Sequence, residues 1–200
     1  ILRSVEYYEK ILPTLNVDIH LNEEVKDING YDYALLAIGA HNMEMPIPHK
    51  ESNIVSSWDV LNGQEVQGAC VVIGGGLVGA ETAEYLANKG HQVTIVEMMD
   101  KIAAGESTTV LPLMMKDFAD HNVKQLVNTK VDHIENNIVY TENDQIKADT
   151  IINALGSKKN IFDDSSITIP HVCVGDCSGE RTADIASAIR TAYHAANAID

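Results

Sequence analysis

Residues 69–97 read ACVVIGGGLVGAETAEYLANKGHQVTIVE, and the order of residue types in this stretch decides the fold. Residues 69–73 form a short unbroken apolar run, the pattern of a strand buried on both faces. Three glycines follow. From about Leu77 the apolar residues Ala80, Ala83, Leu86 and Ala87 recur at helical spacing, and Gly90 supplies a C-terminal stop. Residues 92–97 then read as the next strand, closed by Glu97.

Gly74, Gly76 and Gly79 fit G-x-G-x-x-G between strand and helix, with an acidic residue about 20 positions on, which is the order a Rossmann dinucleotide site needs. Gly74 permits the tight turn, Gly76 removes the Cβ that would strike a pyrophosphate, and Gly79 lets helix and strand pack closely. Backbone N–H groups along Gly74, Gly75, Gly76, Leu77 and Val78, with the positive end of the helix dipole, are expected to hold the pyrophosphate. Glu97 is expected to accept hydrogen bonds from the adenosine ribose. A 2′-phosphate there would meet a carboxylate, so NADH is expected over NADPH. Lys101 either reaches such a phosphate or is a solvated surface lysine.

Working outward, Val5, Tyr8, Ile11, Leu12 and Leu15 fall at helical spacing, with Pro13 disturbing the last turn. Residues 17–21 and 33–38 read as strands, and 41–49 as the best linker candidate. Ser56 or Ser57 is placed to cap a short helix through Leu61. Residues 109–121 predict a second helix and 123–127 a third strand. Two alternating segments, 130–135 and 138–141, join at Asn136-Asn137 as an antiparallel excursion. Residues 150–154 and 172–174 read as strands, and 184–199 as an alanine-rich helix. The stretches DYALLAIG (32–39) and DTIINALG (149–156) share Asp, Ala and Gly at the same offsets. A glycine ending a buried strand lets a backbone or a cofactor approach closely.

The chain has 200 residues with 29 acidic and 14 basic side chains, a formal charge of −15. Such a surface repels polyphosphate and anionic membranes, so neither nucleic acid nor membrane is an expected partner. Composition, at 45% apolar and 22% charged with 13 glycines, excludes collagen, disorder and coiled coil. Cys70, Cys173 and Cys177 are too few and scattered for a disulfide framework, which favours a reducing, cytoplasmic setting. Cys173-x-x-x-Cys177 reads as part of an apolar strand end. The eight histidines are dispersed, and no metal site is expected. No signal peptide or long apolar span occurs, and the mid-pattern opening at Ile1 reads as a fragment.

On these residues the chain resembles the second nucleotide-binding domain of two-dinucleotide-binding flavoprotein reductases. As a whole it is similar to the C-terminal part of the NADH:flavin oxidoreductase branch with 2,4-dienoyl-CoA reductase and 2-enoate reductase. LLAIGA (35–40) and INALGS (152–157) match that family's strand-ending motifs, and HVCVGDC (171–177) its late FAD motif. The resemblance implies FAD contacts at Gly39, Gly156, Gly175 and Asp176, with the last helix pointing its N-terminus at the flavin. Glu81 is either near the nicotinamide or a helix-surface carboxylate. The expected fold is α/β: a Rossmann-like NAD(P)-binding domain inserted in a partial FAD-binding domain, as a parallel sheet with an antiparallel β excursion. The expected division is a partial FAD domain at 1–45, a linker at 46–64, the NAD(P) domain at 65–155 and an FAD remnant at 156–200. The implied reaction passes hydride from NADH to FAD for reduction of an activated alkene, an enoate or dienoyl-CoA. The resemblance implies an upstream flavin barrel of the same polypeptide, with FMN and an iron–sulfur cluster expected in the parent only. No residue is assigned as general acid or base, and the isolated chain is expected to be inactive. The alternatives are a dihydrolipoamide-dehydrogenase-like or NADH-oxidase reductase, or a non-catalytic nucleotide-binding module.

Overall fold

The computed structural model describes residues 2–179 and 184–199. The helix α1 (Leu2–Ile11) runs into a 3-10 turn (Leu12–Leu15) that carries Pro13 and ends at Asn16 in the left-handed region, φ 54°. Residues 17–21 are irregular, not the strand their alternation predicts. The reason is a missing partner: Val17, Ile19 and Leu21 remain 45%, 48% and 79% exposed, and alternation without a face to bury it does not hold a strand.

The chain continues through β1 (Ala34–Leu36), β2 (Ala40–Asn42), β3 (His49–Lys50), β4 (Ile54–Ser56), α2 (Ser57–Leu61), β5 (Cys70–Ile73), α3 (Leu77–Asn88) and β6 (Val93–Val96). It then forms α4 (Leu111–Asp120), β7 (Lys124–Leu126), β8 (Val131–Glu135), β9 (Ile138–Thr141), β10 (Gln145–Lys147), β11 (Thr150–Asn153), β12 (Ser157–Lys159), β13 (His171–Cys173) and α5 (Ile185–Ala196). The fold is the expected α/β arrangement. The stretch read as a linker is ordered: it holds β3, β4 and α2, with the Ser56 side chain accepting from the Asp59 N–H as N-cap.

At the centre lies a five-stranded, wholly parallel sheet in the order β4-β11-β5-β6-β7. Every residue of β5 and β11 is buried: β5 is apolar at every position, and β11 buries the polar Thr150 and Asn153 on either side of Ile151 and Ile152. Alternate residues of β5 face opposite layers. Cys70 and Val72 pack with Ala83, Leu86 and Phe118 under α3 and α4. Val71 and Ile73 pack with Ile134 and Val139 under the second sheet. That second sheet, β10-β9-β8-β3, contains the expected excursion, turning at Asn136 and Asn137 with φ 51° and 60°. It is larger than expected, because β10 and the two-residue β3 extend it.

The register aligns Ile73 with Val96 on one side and Asn153 on the other, so Gly74, Glu97 and Ala154 leave the sheet at one edge. Ligands of open α/β sheets sit at this carboxyl end. Two small pairings complete the fold: β1 runs parallel to β13, and β2 antiparallel to β12. They set Gly39, Gly156 and Gly175 beside that edge. Among the described residues no helix is long and apolar enough to cross a membrane.

Candidate functional site: a glycine turn and the cavity beside it

Three of the four glycines of the turn are required by the fold itself, each for a different contact. Gly74 has φ +102°, and a Cβ there would lie 2.5 Å from the carbonyl oxygen of Ala154. Its N–H donates to the Val96 carbonyl at 2.9 Å, closing β5 onto β6. At Gly79 a Cβ would collide with the Gly74 carbonyl oxygen and stand 3.2 Å from the Ala154 Cβ, so α3 can seat on the turn only without one. At Gly75 it would stand 2.9 Å from the Glu97 Cβ. Gly76 is the exception. Its φ is −64°, and a Cβ there would meet nothing within 4 Å. Neither conformation nor packing demands glycine at 76. The space above Gly76 is open, and the first N–H groups of α3, on Leu77, Val78 and Gly79, have no intrahelical acceptor.

Glu97 does more than its spacing predicts. It is 9% exposed, and its Oε2 accepts from the Gly75 N–H at 2.6 Å while Oε1 accepts from the Met99 N–H at 2.7 Å. The carboxylate thus clamps the glycine turn to the loop after β6. Each oxygen keeps a further lone pair, so ribose hydroxyls remain acceptable donors. The N–H of Gly75, however, is committed to Glu97 and is not free for phosphate. The Gly75 carbonyl accepts from the Ala103 N–H at 2.7 Å. Ala103 holds φ 52° while only 1% exposed, a costly backbone state kept by its surroundings. No spacing rule pointed to Met99 or Ala103.

A cavity of about 570 Å³ opens next to the turn, lined by Gly39, Val78, Ala154, Gly156, Gly175 and Asp176. The four residues tied to FAD by resemblance therefore meet in one place, although they span 138 positions. Gly39, Gly156 and Gly175 have φ +71°, +110° and +65°. A Cβ at Gly39 or Gly156 would meet nothing within 4 Å, so the space above both is open to a planar group. The Gly175 N–H donates to Thr191 Oγ1 at 2.8 Å, tying the motif to α5, and the Asp184 side chain at the start of α5 accepts from the Ser187 N–H at 2.5 Å. Asn42, Ser57 and Trp58 also line the cavity; of the three the sequence offered only Ser57, and that as a helix cap.

Glu81 is exposed on α3 and does not line the cavity. Its charge helps, after burial and Asp117, to hold the Glu84 carboxyl above its ordinary range. Burial, and secondarily Asp149, pushes the Cys70 thiol up to about 11. Burial followed by the neighbouring Cys177 also raises Cys173. Buried Cys177 donates to the carbonyls of Leu36 and Val174 at 3.0 and 3.1 Å.

A match to the family described as pyridine nucleotide-disulphide oxidoreductase covers residues 19–172, and the chain belongs to that family. Its cofactors are pyridine nucleotide and FAD. The chain is 40% identical over 210 residues to the bilirubin reductase of Mediterraneibacter gnavus (strain CC55_001C), covering 98% of this chain and 33% of that protein. It is 32% identical over 213 residues to the cinnamate reductase of Clostridium sporogenes, covering 98% and 31%. In fold it matches a 2-naphthoyl-CoA reductase complex with TM-score 0.80 at 24% identity, over 95% of this chain and 31% of that one. The chain spans about a third of the length of these relatives. They agree with the resemblance to the enoate- and dienoyl-CoA-reductase branch.

Proposed function

We propose that this chain is the NADH-binding portion of a flavoprotein oxidoreductase whose full-length form passes hydride from NADH to FAD and onward to an activated alkene. The observation that carries the reading is the meeting of Val78, from the pyridine-nucleotide helix, with Gly39, Gly156, Gly175 and Asp176 in one cavity. Reductases named for bilirubin and cinnamate among the relatives support the reductive direction.

In this reading the open position above Gly76 and the α3 N–H groups seat the pyrophosphate. Glu97 holds the turn and receives the ribose, favouring NADH over NADPH. Gly39 and Gly156 give a planar ring a flat approach, and Asp176 accepts from the polyol chain of FAD. Apolar Ala154 and Val78 limit water where the two cofactors meet. The bound cofactors supply the hydride chemistry, and the chain supplies placement. No side chain is assigned a proton-transfer role. Glu81 is given a surface role beside α4. The dinucleotide domain is assigned to 65–155 with β4 added at its edge, between FAD-domain pieces at 1–45 and 156–200. An upstream barrel carrying FMN and a cluster, and a cytoplasmic setting, complete the proposal.

The second reading, a disulfide reductase, is favoured by 31% identity over 123 residues to the dihydrolipoyl dehydrogenase of Vibrio cholerae serotype O1, which covers 61% of this chain and 25% of that protein. Anaerobic mixing of the flavin-loaded full-length protein with NADH separates the two. Bleaching of the flavin band, reversed by an α,β-unsaturated acid but not by a dithiol's disulfide, is the expected result. A flavin that NADH leaves unbleached would overturn the proposal.

A further inference from the structure

Among the described residues, two buried side-chain atoms have no hydrogen-bond partner: Oδ1 of Asn42 and Oγ of Ser57. Both residues line the cavity that holds Val78, Gly39 and Gly156. Buried polar atoms in folded proteins are almost always paired, so two orphans around one cavity mark a missing partner there. Ser57 is 1% exposed. Its hydroxyl is not needed by the helix it begins, because Ser56 already caps α2 through the Asp59 N–H at 3.1 Å. Asn42 donates its Nδ2 to the Met43 carbonyl at 3.2 Å, which orients the amide and leaves the oxygen as an unused acceptor. The two come from different parts of the fold, Asn42 from β2 beside Gly156 and Ser57 from the end of the central sheet.

An acceptor-only oxygen together with a hydroxyl able to donate is the complement of a group that carries an N–H and a C=O side by side. We propose that Asn42 and Ser57 are positioning residues that grip such a planar amide edge of a cofactor in the cavity. Asn42 Oδ1 accepts from its N–H, and the Ser57 hydroxyl donates to its carbonyl oxygen. Both the nicotinamide carboxamide and the pyrimidine edge of a flavin have this chemistry. The inference rests on the dinucleotide reading above and adds to it the residues that fix the angle of the reacting ring.

The test is calorimetric titration of the full-length protein and its Ser57→Ala and Asn42→Ala variants with NADH, ADP-ribose and FAD. ADP-ribose keeps the adenosine, pyrophosphate and second ribose of NADH and lacks the nicotinamide. Each variant is expected to weaken either NADH or FAD about three- to tenfold, the worth of one neutral hydrogen bond, while ADP-ribose binds as before. Loss confined to NADH assigns the pair to the carboxamide, and loss confined to FAD assigns it to the flavin edge. Thermal melting without ligand adds a second readout. Removing an orphaned hydroxyl leaves the Ser57→Ala melting point equal or higher, whereas a purely structural serine would lower it. Unchanged affinities for both cofactors in both variants would overturn this inference and leave the dinucleotide reading standing. An unmodified protein that binds neither NADH nor ADP-ribose would overturn that reading and this one with it.

Discussion

Gly76→Val and Gly79→Ala are expected to fail in opposite ways, although both alter the same motif. At Gly76 the backbone has φ −64°, open to any residue, and the nearest atoms to an added Cβ lie beyond 4 Å. The cost to the fold is only that valine caps a helix less well than glycine, about 0.5–1 kcal/mol, or a few degrees of melting temperature in a chain this size. The valine methyls would fill the space left for the pyrophosphate. Losing even one N–H bond to an anionic phosphate costs about 1.5–3 kcal/mol, hence a roughly 10- to 150-fold weaker NADH affinity. At Gly79 the added methyl meets the Gly74 carbonyl oxygen and, at 3.2 Å, the Ala154 Cβ. Overpacking of that kind costs about 1–3 kcal/mol of stability, and binding falls only as the turn is displaced. Thermal melting and NADH calorimetry on both variants read the two effects separately. A folded Gly76→Val protein with native NADH affinity would refute the reasoning, as would a Gly76→Val that melts earlier than Gly79→Ala.

Four further outcomes follow from the structure. NADPH is expected to bind about tenfold or more weakly than NADH at low salt, because the 2′-phosphate meets Glu97, and equal dissociation constants would contradict that placement. Glu97→Ala should also lower stability by about 1–3 kcal/mol, since the N–H groups of Gly75 and Met99 lose their acceptor; an unchanged melting point would show that the clamp is dispensable. Folded Glu84 binds its proton more tightly than unfolded Glu84, through burial first and Asp117 next, so its contribution favours the fold at low pH and is lost as pH rises above the ordinary glutamate range. Glu84→Gln should therefore be more stable than the parent near neutral pH, by about 0.5 kcal/mol, with a flatter pH profile, and a steeper profile would count against it. With its thiol at about 11, Cys70 should resist iodoacetamide in the native protein at neutral pH, and fast labelling seen by mass spectrometry would contradict its burial.

Much of the dinucleotide core was legible in the chain's local order. The run 69–73 is apolar at every position and became β5, buried throughout. The helix after the glycines kept the predicted face, with Ala80, Ala83, Leu86 and Ala87 buried. Such features depend on residues only a few positions apart, and period and glycine placement report them directly. Where a local pattern needed a distant partner, the reading failed. The alternation at 17–21 lacked a neighbouring strand, while the unremarkable residues of β2 and β12 found each other across 117 positions.

Local residue order is enough for the strand–turn–helix unit, the place of Glu97 and the glycines at the ends of two echoing strands, because each follows from backbone conformation and short-range periodicity. Packing in three dimensions makes Glu97 clamp the turn from both carboxylate oxygens and turns Gly39, Gly156 and Gly175 toward one cavity with Val78. It alone left Asn42 Oδ1 and Ser57 Oγ without partners. Hydrogen bonds and cavities of this kind are set by elements far apart in the chain, and their cost or benefit exists only once packing has excluded water from them.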